Sequence, residues 1–192
     1  FKQQGYYVIA PGSKDVDLSN TQAVETFIAQ LPQDIDAFIH CAGINDPKVI
    51  NHITLSDVQK TMQVNALSFY QIVHHLVTQA KIKVSGHILG ISSIYGSLAR
   101  KGRFSYVGSK HCLHGMIKTL AIELGELDIK ANVLSPGFVD TRLTRQNNSE
   151  EKIKEFERKV PLGRLANCEE IATLAHFMCT ANTYISGQEI II

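Results

Sequence analysis

Residues 104–137 read FSYVGSKHCLHGMIKTLAIELGELDIKANVLSPG, and the fold class follows from the pattern within them. In the first part, apolar side chains recur every three or four residues, which is typical of an amphipathic helix over 104–124. The apolar stripe consists of Leu113, Met116, Ile117, Leu120 and Leu124. Residues 131–136 form a short, mostly apolar run before a glycine, which predicts a buried strand. The stretch therefore predicts a long helix that leads into a buried strand.

The same alternation extends along the chain in both directions. Residues 1–5 are typical of the end of a helix that stops at Gly5. Further strands are predicted at 6–10, 36–43, 86–93 and 187–192, and further helices at 20–30, 56–80, 142–159 and 169–179. Strands that alternate with helices predict βαβ units, and therefore an α/β fold with a parallel sheet covered by helices on both faces. The length fits one domain, which we place at residues 1–192.

The composition is that of an ordinary globular protein. Hydrophobic residues make up 44% of the chain, charged residues make up 19%, and the formal net charge is +1. This balance offers no basis for binding nucleic acid or an anionic membrane, and no apolar run approaches the ~20 residues of a membrane span. The four cysteines are scattered without a CxxC pair, which favours reduced thiols and a cytoplasmic location.

Eight histidines raise the question of a metal site. His111 and His114 are three residues apart on a predicted helix, but no third ligand lies at a suitable spacing. We therefore predict no metal. We expect these two residues, with His74 and His75, to lie at the surface or at a helix interface between subunits.

Polar residues collect where the predicted strands end. In parallel sheets of this kind, ligands bind beyond the carboxyl ends of the strands. The residues at these ends are Ser13, Asp17, His40 to Gly43, Ser92, Ser93 and Pro136 to Thr141. This edge of the sheet is therefore the predicted ligand site.

Tyr106 and Lys110 are the pair of residues most suggestive of chemistry. They lie four apart on the predicted helix, so their side chains emerge on one face. Free tyrosine has a pKa of about 10, and a nearby ammonium group favours the phenolate and lowers that pKa. The pair could exchange a proton with a substrate oxygen. Ser93 ends a buried strand where its hydroxyl could bind a carbonyl, and Asn65 occupies an unusual position inside a helix.

Together, Asn65, Ser93, Tyr106 and Lys110 resemble the catalytic tetrad of the short-chain dehydrogenase/reductase family. The resemblance covers nearly the whole chain, in the family's order and approximate spacing. Its motifs are Val64-Asn-Ala66, Ile91-Ser-Ser93, Tyr106-Val-Gly-Ser-Lys110, Asn132-Val-Leu-Ser-Pro-Gly137 and Ile185-Ser-Gly-Gln-Glu189. The resemblance implies a Rossmann-like, doubly wound, three-layer sheet. It implies that Tyr106 is the acid or base, and that Lys110 lowers its pKa and binds the nicotinamide ribose. Ser93 would orient the substrate oxygen, and Asn65 would hold a water molecule linked to Lys110.

The resemblance also implies a cofactor site. Its residues are Ser13, Lys14, Asp17, Leu18, Cys41, Ala42, Gly43, Tyr106, Lys110, Pro136, Gly137, Val139 and Thr141. Asp17 and Leu18 would lie beside the adenine ring, and Thr141 would lie near the nicotinamide carboxamide. His40 and Cys41 replace two asparagines of the family's Asn-Asn-Ala-Gly turn. Ser13 and Lys14 stand where an acidic residue would indicate NAD, so we predict NADP(H) rather than NAD(H), with a solvated Lys14 as the alternative.

The family's glycine-rich turn, which binds the cofactor pyrophosphate, has no counterpart in this sequence. The strand before that turn would lie in the middle of the sheet, between the strands at 6–10 and 36–43. We therefore expect the first strand to be missing, and the chain to be either a fragment of a longer reading frame or a degenerate relative. We favour the fragment, because the rest of the site pattern is intact.

The predicted function is hydride transfer between NADP(H) and a carbonyl or secondary alcohol, as in a 3-oxoacyl-carrier-protein reductase. The substrate would be a small molecule, free or attached to acyl carrier protein, and residues 94–103 and 141–161 would select it. The resemblance implies a homodimer or homotetramer formed through the helices at 56–80 and 104–124. Two alternatives remain: a sugar-nucleotide epimerase or reductase, and a binding or regulatory protein that lacks a cofactor.

Overall fold

A computed structural model describes all residues from 1 to 192. Its centre is a parallel sheet of four strands in the order β1-β2-β3-β4. The strands are β1 (Ile35–His40), β2 (Ile82–Ile91), β3 (Lys130–Ser135) and β4 (Glu189–Ile191). The helices are α1 (Thr21–Ala29), α2 (Leu55–Met62), α3 (Ser68–Thr78), α4 (Phe104–Glu123), α5 (Arg142–Gln146), α6 (Glu150–Lys159) and α7 (Cys168–Thr180). The predicted α/β fold is confirmed.

Helices cover both faces of the sheet and give it three layers. On one face, α1, α3 and α4 contribute Val24, Phe69 and Leu113 to a core that includes Ile88 of β2 and Val133 of β3. On the other face, α7 packs Ala175, Met178 and Cys179 against Leu89 and Leu134. Because β3 is covered on both faces, every one of its residues is buried.

Side-chain caps set the starts of several helices. Asn20 accepts a hydrogen bond from the backbone N–H of Ala23 at the start of α1. Thr54 and Asp57 form a reciprocal capping box at the start of α2, and Asn167 and Glu170 form another before α7. Such caps satisfy N–H groups that have no partner within the helix. The long helix predicted from residue 56 is formed by α2 and α3, joined by a π-helical turn at Gln63–Leu67.

The amino-terminal segment departs from the prediction. Lys2–Gln4 form a short 3₁₀ helix, and Gly5 ends it with a φ of +84°, as expected of a left-handed cap. Residues 6–10, predicted as a strand, pair with no strand. A groove of about 1030 Å³ separates them from β1, whose only ladder is with β2. The prediction of a strand at 6–10 is wrong because no neighbouring strand lies within hydrogen-bonding distance of this segment.

The predicted helix at 142–159 forms as two helices, α5 and α6, with the cap residue Ser149 before the second. Ile153 and Phe156 of α6 pack beside Leu165, and the Phe156 ring stacks on Phe138 at 4.2 Å between centroids. This small separate core places α6 above the segment that follows β3. No helix in the structure combines the length and the apolar character needed to cross a membrane.

Candidate active site

Ser93, Tyr106 and Lys110 converge where β2 ends and α4 begins. Ser93 follows β2 after Ser92, and Tyr106 and Lys110 lie in the first two turns of α4. Ser93 Oγ accepts a hydrogen bond from the Tyr95 N–H at 3.2 Å and lies close enough to the Tyr106 phenol to influence its pKa, and Nζ of Lys110 lies 5.7 Å from the centre of the Tyr106 ring. The structure therefore brings together three of the residues that the sequence singled out.

Asn65 lies at the centre of the π-helical turn and is fully buried. Its Nδ2 donates to the Ile44 carbonyl at 3.0 Å and to Ser109 Oγ at 2.9 Å, and its Oδ1 accepts from the Ile44 N–H at 2.8 Å. Ser109 in turn donates to the Tyr106 carbonyl. Asn65 therefore ties the loop after β1 to α4, which explains an asparagine inside a helix. Ser109, missed from the sequence, completes this link.

Lys110 is a buried cation, with only 3% of its surface exposed. Nζ donates one hydrogen bond, of 2.8 Å, to the Ile91 carbonyl at the end of β2. Since an ammonium group has three N–H donors, two remain for other acceptors. Gly43 borders the same space, because a Cβ on it would lie 3.5 Å from Lys110 Nζ and 3.7 Å from Asn65 Oδ1. Burial lowers the pKa of Lys110 to about 8.

The pKa of Tyr106 differs from the expectation. Burial raises the pKa of Tyr106 above its usual value. The nearby Ser93 side chain and the charge of Arg103 act in the opposite direction. The resemblance implies that Lys110 lowers this pKa, but Lys110 is not among the groups that shift it here. The ammonium group is directed to the Ile91 carbonyl, and burial disfavours its charged form. The phenol is therefore protonated at neutral pH.

A second polar cluster lies beneath the site and was missed from the sequence. His114 is 6% exposed, and its Nε2 lies 2.7 Å from Ser92 Oγ. Its Nδ1 lies 3.6 Å from the Glu189 carboxylate, which also accepts a hydrogen bond from Ser97. Gly96 is required here, because a Cβ on it would overlap the His114 ring. The prediction that His114 lies at the surface or at a subunit interface is wrong. Its only sequence signal was a position four residues after Lys110, on the same helix face.

His40 stands where the family has an asparagine, but its surroundings are those of a core residue. It is 2% exposed, its ring lies 5.6 Å from that of Phe69, and its Nε2 has no hydrogen-bond partner. Burial lowers its pKa to about 4, so the ring is neutral at pH 7. His40 therefore serves as an aromatic core residue.

The candidate cofactor residues fall into two groups. The first group lines the groove beside β1, and its members are Ser13, Asp17, Leu18, Cys41, Ala42 and Gly43. Lys14 is exposed and does not line the groove. The Asp17 carboxylate accepts hydrogen bonds from the backbone N–H and the hydroxyl of Ser19.

The second group follows β3 and comprises Pro136, Gly137, Val139 and Thr141. The Gly137 N–H donates to the Ile192 carbonyl at 2.8 Å, and Val139 pairs with Ala166. The Thr141 hydroxyl caps α5 by accepting from the Thr144 N–H. Together, the two groups and Lys110 offer hydroxyl, carboxylate and ammonium groups to a nucleotide. The residues that line the groove include no glycine-rich turn that leads from a strand into a helix.

The buried ammonium group of Lys110 makes a prediction about stability. The folded protein releases this proton near pH 8, whereas the usual lysine value is 10.5. Between these values the unfolded chain binds more protons, so the contribution of Lys110 to the free energy of unfolding rises with pH by roughly 3 kcal/mol. Urea unfolding at pH 8 and pH 10 should show this rise in the wild type relative to Lys110→Met. The exposed Lys154→Met is the control, and parallel pH profiles for wild type and Lys110→Met would contradict the prediction.

Comparison with known proteins gives the family. A family model described as "Enoyl-(Acyl carrier protein) reductase" matches residues 11–192. The 3-oxoacyl-[acyl-carrier-protein] reductase of Buchnera aphidicola is 30% identical over 179 residues, which cover 91% of this chain and 73% of that protein. A short chain dehydrogenase family protein from Francisella tularensis superposes with a TM-score of 0.87 at 27% identity, over 92% of this chain and 77% of the other.

A third similar protein is 4-hydroxyisoleucine dehydrogenase in a complex with NADH. Its TM-score is 0.82 at 26% identity, and the match covers 92% of this chain and 75% of that one. The family model and the relatives agree with the α/β fold. The chain therefore belongs to the short-chain dehydrogenase/reductase family, whose members are NAD(P)-dependent oxidoreductases that act on CH–OH or carbonyl groups.

Proposed function

We propose that this protein reduces a carbonyl compound with NADP(H), and that Asn65, Ser93, Tyr106 and Lys110 are its catalytic residues. The observation that carries the proposal is the convergence of the Ser93 hydroxyl, the Tyr106 phenol and the buried Lys110 ammonium group at one end of the sheet. The single domain at residues 1–192 contains all four side chains.

The chain's own residues suit proton transfer to a substrate oxygen. Ser93 donates a hydrogen bond that orients the carbonyl oxygen, and Tyr106 delivers the phenolic proton to that oxygen. A raised pKa keeps this proton on Tyr106 at neutral pH, which favours its role as the acid in reduction. When bound, the nicotinamide supplies the hydride that the carbonyl carbon receives. Lys110 then stabilises the phenolate left on Tyr106 after the proton has moved.

The residues around Lys110 fit the nicotinamide half of the cofactor. Two N–H donors of Lys110 are free for the ribose hydroxyls, and Gly43 leaves space beside them. Pro136, Gly137, Val139 and Thr141 would seat the nicotinamide ring, while Asp17 and Leu18 would contact the adenine. For NADP(H) in preference to NAD(H), we propose Ser13 and Lys14 as the partners of the 2′-phosphate. Ser13 lines the groove, and Lys14 follows it in the same exposed loop.

Binding of NADPH by the 192-residue chain is the test of this cofactor assignment. We expect a fluorescence titration to show tighter binding of NADPH than of NADH, because a hydroxyl and an ammonium group complement a phosphate. Lys14→Ala should weaken NADPH binding by about 3- to 10-fold and leave NADH binding unchanged. Lys2→Ala, at an exposed lysine outside the groove, is the control. Equal affinity for the two cofactors in the wild type would contradict the assignment.

The relatives suggest a 3-oxoacyl substrate, free or attached to acyl carrier protein. We propose that residues 94–103 and 141–161 select it, since Tyr95 and Arg103 lie near Tyr106 and the Phe156 ring contacts Arg100. We also propose a homodimer or homotetramer. A groove of about 430 Å³ between α3 and α4 supports this, because exposed Tyr70 and half-buried Met116 line it and a second copy could cover them.

A cytoplasmic location is consistent with four free cysteines.

A binding or regulatory protein without a cofactor is the second candidate. The observation that favours it is the buried His40, which stands where the family has an asparagine and whose Nε2 has no hydrogen-bond partner. The NADPH titration separates the two candidates. A folded chain that binds neither NADPH nor NADH would support the second candidate and exclude the first.

A further inference from the structure

Arg103 is a buried guanidinium group without a partner. It immediately precedes α4 and is 7% exposed. Its Nη1 is buried and makes no hydrogen bond, and Arg103 takes part in none of the ion pairs of the structure. A buried charge without a partner is unfavourable, so proteins rarely retain one unless a ligand completes it. This side chain lies in the segment 94–103, where the sequence showed no recognisable pattern.

The surroundings of Arg103 carry a surplus of positive charge. Arg100 lies close enough to lower the pKa of Arg103, although burial is the larger cause. Arg100 Nη1 donates only to the Tyr95 hydroxyl, at 3.1 Å, and its guanidinium group lies 5.2 Å from the centre of the Phe156 ring. The one nearby carboxylate, that of Asp46, is paired with Lys48 at 2.9 Å. Two guanidinium groups are therefore left without an anion.

Arg103 also lies next to the proposed proton donor. It is three residues before Tyr106, and its carbonyl accepts the Val107 N–H at 2.8 Å, so the two residues belong to the same helical turn. Arg103 is the cap residue of α4 and its backbone is not helical, but its side chain lies close enough to Tyr106 for the two groups to influence each other's pKa. The charge of Arg103 is one of the influences that lower the pKa of Tyr106 against the effect of burial. A short molecule could therefore place an anionic group at Arg103 and a carbonyl group at Tyr106 at the same time.

We infer that Arg103, assisted by Arg100, binds a carboxylate of the substrate, and that the substrate class is the short free oxo acids. A guanidinium fork matches a carboxylate in shape and charge, and the buried setting strengthens the pairing. The inference rests on the proposed function and narrows it: the oxo group would be presented on a free acid, in preference to a thioester on acyl carrier protein.

Acetoacetate and methyl acetoacetate test the inference, because they share the ketone and differ in the charge of the acid group. NADPH oxidation is measured with both compounds for the wild type, Arg103→Gln and Arg164→Gln. We expect the wild type to prefer acetoacetate. Arg103→Gln should lower kcat/KM for acetoacetate by about 10- to 100-fold, mainly through KM, and should leave the methyl ester within about threefold. The exposed Arg164 is the matched control, and Arg164→Gln should leave both rates unchanged.

Direct binding separates failure of this inference from failure of the proposed function. Calorimetric titration of acetoacetate into the wild type and Arg103→Gln, with NADP⁺ present, reports the carboxylate contact even without turnover. Loss of binding in Arg103→Gln supports the subsite, and if the wild type reduces neither compound, only the proposed function fails. If an active wild type and Arg103→Gln reduce acetoacetate equally well, the inference is overturned. It is also overturned if the two proteins bind acetoacetate equally well, or if the wild type does not bind it.

Discussion

Tyr106→Phe is expected to lower kcat/KM for carbonyl reduction by about 100- to 10,000-fold, the range associated with loss of a general acid. The substitution removes the phenolic oxygen and keeps the ring that packs beside Lys110. The proton would then have to come from bulk water. NADPH oxidation with acetoacetate and with methyl acetoacetate measures the effect on both substrates.

The matched control is Tyr184→Phe, the same change at a residue that is 94% exposed. It should retain wild-type activity. NADPH binding by Tyr106→Phe should fall by less than about tenfold, since a single hydrogen bond to the ribose is the most that is lost. If Tyr106→Phe kept activity within tenfold of the wild type, Tyr106 would not be the proton donor, and the assignment of the tetrad would have to be withdrawn.

Phe69→Ala is expected to have the largest effect on stability. Phe69 is fully buried, and its ring lies 6.0 Å from that of Phe38 and 5.6 Å from that of His40. Truncation of a buried phenylalanine removes apolar contacts and leaves a cavity, at a cost of about 3–5 kcal/mol. Urea unfolding should show a lower midpoint with an unchanged slope.

Phe177→Ala provides the comparison for this change. Phe177 lies on α7 and is 43% exposed, so its truncation should cost less than about 1.5 kcal/mol. Because Phe69 lies four residues after Asn65 in the same continuous helical segment, Phe69→Ala should also weaken the link between the loop after β1 and α4. Equal destabilisation by the two substitutions would show that the core on this face of the sheet is not centred on Phe69.

Helices with a continuous apolar stripe could be predicted closely. The stripe at Leu113 and Ile117 placed α4 correctly, because burial of those side chains against the sheet is the same interaction that the periodicity records. The fully buried β3 was placed for a similar reason, and β2 was placed from Gly86, where its buried part begins, although the strand starts four residues earlier. The segment 6–10 has the same apolar character as β3, yet it forms no strand, because a strand requires a partner and no local pattern specifies one.

The site was predictable where residue identity carries the chemistry. Ser93, Tyr106 and Lys110 were found from their spacing and their resemblance to a known pattern, and the structure brings them together. Their electrostatics were not predictable. The pKa of Tyr106 depends on how deeply the ring is buried, and the isolation of Arg103 depends on which carboxylates the fold places near it.

Local patterns were sufficient to predict most of the helices and strands, the parallel sheet and the residues able to transfer a proton. These follow from interactions between residues close in the chain, or from side-chain chemistry that each residue retains in any fold. Long-range packing sets the burial of His114 against Ser92, the separation of residues 6–10 from β1 and the lack of a partner for Arg103. Each of these depends on distances between segments far apart in sequence, which packing sets and local patterns do not encode.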